Sequence, residues 1–199
     1  TRSGDFAWRD RRTASDVAGK SALIMGFGRI GQRVGALCRA LGLRVAAFDP
    51  YMERSPVEGV EMVKDFRAIL PETDFLCLHL PSTPETRDLI GAGELALLKR
   101  GAFVLNCARG GIVDEDVLCD ALESGHLGGA GLDVFAKEPP DTAHRLFRQE
   151  KVLLSPHNAA LTEECAIRMA TQAVQNVLDC LDGKLQPRVV MNRREIGMA

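Results

Sequence analysis

The 199-residue sequence predicts an α/β fold with a doubly wound parallel sheet, and two observations carry that expectation. Short aliphatic or β-branched runs alternate with segments of helical apolar spacing along most of the chain. The first of these runs leads directly into a glycine-rich turn that opens a helix. Strands separated by helices in this way form a parallel sheet covered on both faces.

The expected strands are Ser21 to Met25, Arg44 to Phe48, Phe75 to His79, Phe103 to Asn106, Gly129 to Leu132 and Val152 to Leu154. Between the first two, Ile30, Val34, Leu37 and Leu41 recur at helical steps. Val117, Leu118, Ala121 and Leu122 mark the face of a later helix that Asp114 can cap. The longest periodic segment follows Thr162, a second capping residue with Glu163 and Glu164 in the favourable first turn, and ends at Asp182-Gly183. Its apolar face suits either the sheet or a subunit contact. Residues 20–185 read as one domain, preceded by a lead-in over 1–19 and followed by a polar tail over 186–199.

Composition narrows the function. With 46% hydrophobic and 26% charged residues the chain can bury one real core. A net charge of -2 gives no overall attraction to nucleic acid or to an anionic membrane, leaving only the local cluster Arg9, Arg11 and Arg12. No apolar run reaches the roughly 18 residues of a membrane span, and the first residues lack the apolar centre of a signal peptide. The cysteines at 38, 77, 107, 119, 165 and 180 have irregular gaps and no Cys-x-x-Cys, and the histidines are scattered, so no metal site is expected. Reduced thiols in a cytoplasmic protein are the reading.

Gly26-Phe27-Gly28-Arg29-Ile30-Gly31 is G-x-G-x-x-G between a strand and a helix. A pyrophosphate there meets free backbone N–H groups and the positive end of the helix dipole. Gly26 permits the tight turn, Gly28 lets backbone approach phosphate, and Gly31 lets helix and strand close up. Asp49 stands eighteen residues after Gly31, at the end of the second strand, where a carboxylate can accept both ribose hydroxyls of an adenosine. This favours NAD over NADP, whose 2′-phosphate would meet like charge, although Arg54 nearby could soften the repulsion. The same loop serves enzymes that bind S-adenosylmethionine, and it is the second half of the chain that points away from them.

Three more groups sit at expected strand ends, where open α/β sheets place ligand-binding residues. Arg109, between an apolar strand and Gly110-Gly111, can grip a carboxylate with two parallel hydrogen bonds. Glu138 follows the fifth expected strand and His157 the sixth. A Glu hydrogen-bonded to a His favours the imidazolium, which suits a residue that gives a proton to an oxo group and takes one from an alcohol.

The segments Gly26–Gly31, His79-Leu80-Pro81, Asn106–Asp114, Leu132–Pro139 and Ser155–Ala160 resemble, in order and spacing, the D-isomer-specific 2-hydroxyacid dehydrogenases. Phosphoglycerate dehydrogenase and glyoxylate or hydroxypyruvate reductase are familiar members. The resemblance implies a Rossmann NAD-binding domain, a small 2-hydroxy or 2-oxo acid as substrate, and a homodimer. It implies that Arg109 holds the substrate carboxylate, that His157 is the proton donor and acceptor, and that Glu138 is its acid partner. Arg29 and Ile30 then contact the pyrophosphate, Asp49 anchors the ribose, and Leu80 and Pro81 line the adenosine side. Cys107, Ala108, Asp133 and the run His157, Asn158, Ala159 and Ala160 form the nicotinamide wall, with Asp133 holding the carboxamide. Family members also carry a second, substrate-binding domain, and its absence from these residues reads as a cofactor-binding domain taken from a longer enzyme. The corepressors of the C-terminal-binding-protein type resemble the same family, so an NAD(H)-sensing binding module is the alternative.

Overall fold

The computed structural model describes residues 14–193 and 195–197, together with Gly4 and Ala7. Trp8, Arg9, Arg11 and Arg12 lie outside the described residues. The chain forms two compact units, Thr1–His157 and Asn158–Ala199.

The first unit is built on a seven-stranded parallel sheet. Its strands are β1 (Ser21–Met25), β2 (Arg44–Phe48), β3 (Val60–Met62), β4 (Phe75–Leu78), β5 (Phe103–Asn106), β6 (Gly129–Leu132) and β7 (Val152–Leu154), in the spatial order β3-β2-β1-β4-β5-β6-β7. The helices of this unit are α1 (Arg29–Ala40), α2 (Ala92–Leu97) and α3 (Glu115–Glu123). The order reverses between β1 and β4, which marks the crevice where such sheets bind ligands.

All six expected strands are present, and two features differ. β3 was not expected: it is three residues long, and only Val60 of it is buried, so it carries little apolar signal. β4 ends at Leu78, one residue earlier than expected, although the His79 N–H still donates to Met25 O at 2.7 Å.

Alternation along the strands divides the core between the two faces. Ala22 and Ile24 of β1, Val45 and Ala47 of β2 and Cys77 of β4 face α1 through its Val34 and Cys38. Leu23 and Met25, Leu76 and Leu78, and Val104 point the other way, onto Leu95 of α2 and Leu118 and Leu122 of α3. Each fully buried aliphatic side chain contributes about 1.5–3 kcal/mol. Asp114 caps α3 as expected, its Oδ1 accepting the Asp116 N–H at 3.0 Å and the Val117 N–H at 3.1 Å. At the sheet edge, Leu153 of β7 is 81% exposed.

The second unit holds α4 (Glu163–Leu181), where Thr162 Oγ1 accepts the Cys165 N–H at 3.1 Å and Asp182 closes the C-terminus. The amphipathic pattern of this helix is real, yet none of its residues is buried: Ile167, Val174, Val177, Leu178 and Leu181 are all exposed. Among the described residues no helix is long and apolar enough to cross a membrane.

Candidate active site

The glycine loop lies at the reversal point. Gly26 has φ +86°, and a Cβ there would lie 2.7 Å from the His79 carbonyl oxygen, so only glycine lets the ends of β1 and β4 meet. A Cβ at Gly31 would lie 2.1 Å from Gly26 O, which is why α1 can close onto β1. Gly28 is different: nothing stands within 4 Å of its Cβ position. No side chain caps α1 at Gly28, and no acidic residue stands in its first turn. The N–H groups of that turn therefore suit an anion, in a cradle left open at Gly28 and flanked by exposed Arg29 and Ile30.

Asp49 is the first residue beyond β2. Its Oδ2 accepts the Phe27 N–H at 2.9 Å and its Oδ1 accepts the Tyr51 N–H at 3.0 Å, so the acid is tied to the glycine loop itself. Each oxygen keeps a lone pair for a ribose hydroxyl. Leu80 (buried) and Pro81 (exposed) follow β4, on the other side of β1 from Asp49. These residues fit a dinucleotide laid across the strand ends.

At the end of β5, Asn106 is 2% exposed and fastens the loop that carries the arginine. Its Nδ2 donates to Arg109 O at 2.9 Å and its Oδ1 accepts the Ala108 N–H at 3.1 Å. The exposed Arg109 donates from one guanidinium nitrogen to Ala108 O at 2.6 Å. Ala108 is buried and Cys107 exposed; partial burial, then the charge of Asp133, pushes the Cys107 thiol up from its ordinary value. Asp133 itself is 3% exposed and accepts the Ser155 hydroxyl at 2.6 Å. The two loops also touch directly, since a Cβ at Gly110 would lie 1.7 Å from Phe135 O.

Glu138 and His157 meet. Glu138 Oε2 and His157 Nδ1 are 2.8 Å apart, and Glu138 Oε1 accepts the Phe135 N–H at 3.1 Å. The His157 hydrogen bond, and after it the Phe135 N–H, hold the Glu138 carboxyl below the usual glutamate range. With Nδ1–H given to the carboxylate, Nε2 is left to carry a transferable proton. His157 adopts φ +53°, a left-handed conformation that costs a non-glycine residue energy.

Asn158, Ala159 and Ala160, expected on the nicotinamide wall, belong to the second unit, where all three are exposed. Among the described residues no group of three His, Cys, Asp or Glu side chains could hold a metal ion. Sequence reasoning passed over Asn106 and Ser155 as site residues. The available signal was their position: each is a polar residue at or just past the carboxyl end of a strand, within three residues of a candidate site side chain.

Residues 1–159 match the family model of the D-isomer specific 2-hydroxyacid dehydrogenase NAD binding domain. The chain belongs to this family. It is 39% identical over 184 residues to the D-3-phosphoglycerate dehydrogenase of Methanocaldococcus jannaschii, covering 92% of this chain and 35% of that protein. Identity to the D-3-phosphoglycerate dehydrogenase of Mycobacterium leprae is 42% over 184 residues, with 92% and 34% covered. The NAD-complexed D-isomer specific 2-hydroxyacid dehydrogenase of Lactobacillus delbrueckii ssp. bulgaricus superposes with a TM-score of 0.83 at 29% identity, over 96% of this chain and 61% of that one. The chain thus spans about a third of the length of these curated relatives. Within a 2-hydroxyacid dehydrogenase the matched domain is the one that binds NAD, which agrees with the open cradle at Gly28 and the acid at Asp49.

Proposed function

We propose that this chain is the cofactor-binding part of an NAD-dependent D-2-hydroxyacid dehydrogenase, which interconverts a small D-2-hydroxy acid and its 2-oxo acid. The observation that carries the reading is the 2.8 Å contact between Glu138 and His157, at the ends of adjacent strands β6 and β7 and beside the loop of Arg109. Bound nicotinamide supplies or accepts the hydride at C2 of the acid. Arg109 takes the substrate carboxylate in a two-pronged grip and so orients C2. His157 gives a proton from Nε2 to the developing alkoxide, or receives it in oxidation, and Glu138 keeps the ring oriented and stabilises its charged form. Asp133, which is buried and accepts the Ser155 hydroxyl, would hold the carboxamide, as its position after β6 supports. Asp49 favours NAD over NADP by charge.

The substrate-binding domain that completes the cleft belongs, in this reading, to the longer enzyme, which works in the cytoplasm as a homodimer. Calorimetric titration of the chain with NADH and NADPH tests the cofactor assignment: tight NADH and weak NADPH binding is the expected result. A screen of 2-oxo acids with the whole enzyme and NADH tests the reaction, and the absence of reduction across that panel would overturn it.

A further inference from the structure

The segment that carries Arg109 grips the Phe135–Ala136 backbone at two points. At the first, Gly110 presses against the Phe135 carbonyl so closely that a Cβ would lie 1.7 Å from it. The second is Glu115, whose Oε1 accepts the Ala136 N–H at 2.6 Å across 21 residues of chain. Glu115 is the first residue of α3 and has no capping duty, because Asp114 already accepts the N–H groups of Asp116 and Val117. A negative side chain is favoured there by the helix dipole, and an ionised acceptor makes the stronger bond. Phe135 N–H, one residue earlier, goes to Glu138 Oε1, and the other oxygen of Glu138 meets His157. Two consecutive backbone N–H groups are thus each given to a different carboxylate, one structural and one in the acid-base pair.

We infer that Glu115 is a positioning residue, holding the Phe135–Glu138 turn by the Ala136 N–H so that Glu138 meets His157 in register with Arg109. This rests on the reading proposed above, in which Glu138 and His157 handle the proton. Because Arg109, Gly110 and Glu115 lie on one seven-residue stretch, the carboxylate grip and the proton-transfer pair share a common brace. Loss of Glu115 leaves Ala136 N–H to solvent and frees the turn, while Glu138 and His157 keep their chemistry.

The test is carbon-13 NMR of the Glu138 carboxyl in this chain, in Glu115→Ala and in Glu115→Gln. In Glu115→Ala the Glu138 titration should move up toward the ordinary glutamate range, as its contacts to Phe135 N–H and His157 loosen. Glu115→Gln keeps an acceptor oxygen and should restore the titration of the unaltered chain. An unmoved Glu138 titration in Glu115→Ala, or an equal shift in both variants, would overturn the inference. Should Glu115→Ala not fold, the unaltered chain still decides. Its Ala136 amide proton should shift downfield as the Glu115 carboxyl ionises, and an amide that ignores that titration counts against the bond. In the whole enzyme, Glu115→Ala should lower kcat roughly tenfold with little change in KM for NADH, and Glu115→Gln should rescue it. If the unaltered enzyme reduces no 2-oxo acid, the proposed reaction falls, while the NMR arms still report whether Glu115 positions Glu138.

Discussion

Glu138 Oε2 lies 2.8 Å from His157 Nδ1, joining residues from the ends of two neighbouring strands in one hydrogen-bonded pair. The carboxylate occupies Nδ1, and in the proposed reaction Nε2 is the nitrogen that exchanges a proton. Glu138→Gln preserves size and a hydrogen bond but removes the charge that favours imidazolium. We expect kcat for 2-oxo acid reduction to fall by roughly 10²-fold, with NADH affinity close to unaltered. Steady-state kinetics with calorimetry checks this, and equal loss of both would remove Glu138 from the proton step.

Arg109→Ala should likewise spare the cofactor, because the arginine sits beyond β5 rather than at the glycine loop. Loss of a charged two-pronged anchor is worth roughly 10²-fold or more in kcat/KM. A variant that lost NADH binding to the same degree would contradict the assignment.

Gly31 and Gly28 should separate cleanly. Gly31→Ala drives a Cβ to within 2.1 Å of Gly26 O and should cost on the order of 3 kcal/mol or more, measured as a lower urea midpoint. Gly28→Ala meets no atom within 4 Å and has ordinary extended backbone, so stability should hardly change while NADH affinity drops. Equal unfolding midpoints for both variants would refute this division of labour.

Asn106→Leu fills a similar volume but leaves the Ala108 N–H and Arg109 carbonyl without their partner. The unmet, buried Ala108 N–H costs about 1–3 kcal/mol, and the Arg109 loop should loosen with it. Thermal unfolding together with amide exchange at Ala108 would reveal both effects.

Acid should attack the opposite end of the sheet. Burial alone would raise the Asp74 carboxyl, but hydrogen bonds from Lys99 and from both the N–H and hydroxyl of Ser21 outweigh it and hold it below its ordinary value. Its contribution to stability is therefore complete above the ordinary aspartate range, near about pH 4, and is lost as pH falls through the lower native value. Asp74→Asn should remove that part of the pH dependence of the urea midpoint while leaving the rest of the profile intact.

The sheet and the cofactor loop were legible in the sequence because their signals are local. Ala22–Met25 is a continuous apolar run, and the three glycines and Asp49 follow at fixed spacings. β3 was not legible, since a three-residue strand with one buried side chain makes no pattern. The Glu138–His157 pair came from chemistry and resemblance rather than periodicity, as nothing local links residues nineteen apart. Glu115 was invisible for a related reason: an acid in the first turn of a helix reads as a dipole contact, and its bond to Ala136 exists only once two distant loops are side by side.

The meeting of Gly26 with His79 has a kinetic consequence. β1 pairs with β4 across a separation of 53 residues, for example Ala22 with Phe75, so the mouth of the nucleotide crevice is made from two ends of chain that are far apart in synthesis. A ribosome adding about 5–20 residues per second must run for seconds after β1 emerges before that wall exists. The glycine loop and Asp49 lie within the first fifty residues, whereas the opposite wall of the crevice is added only when β4 has been made and paired with β1.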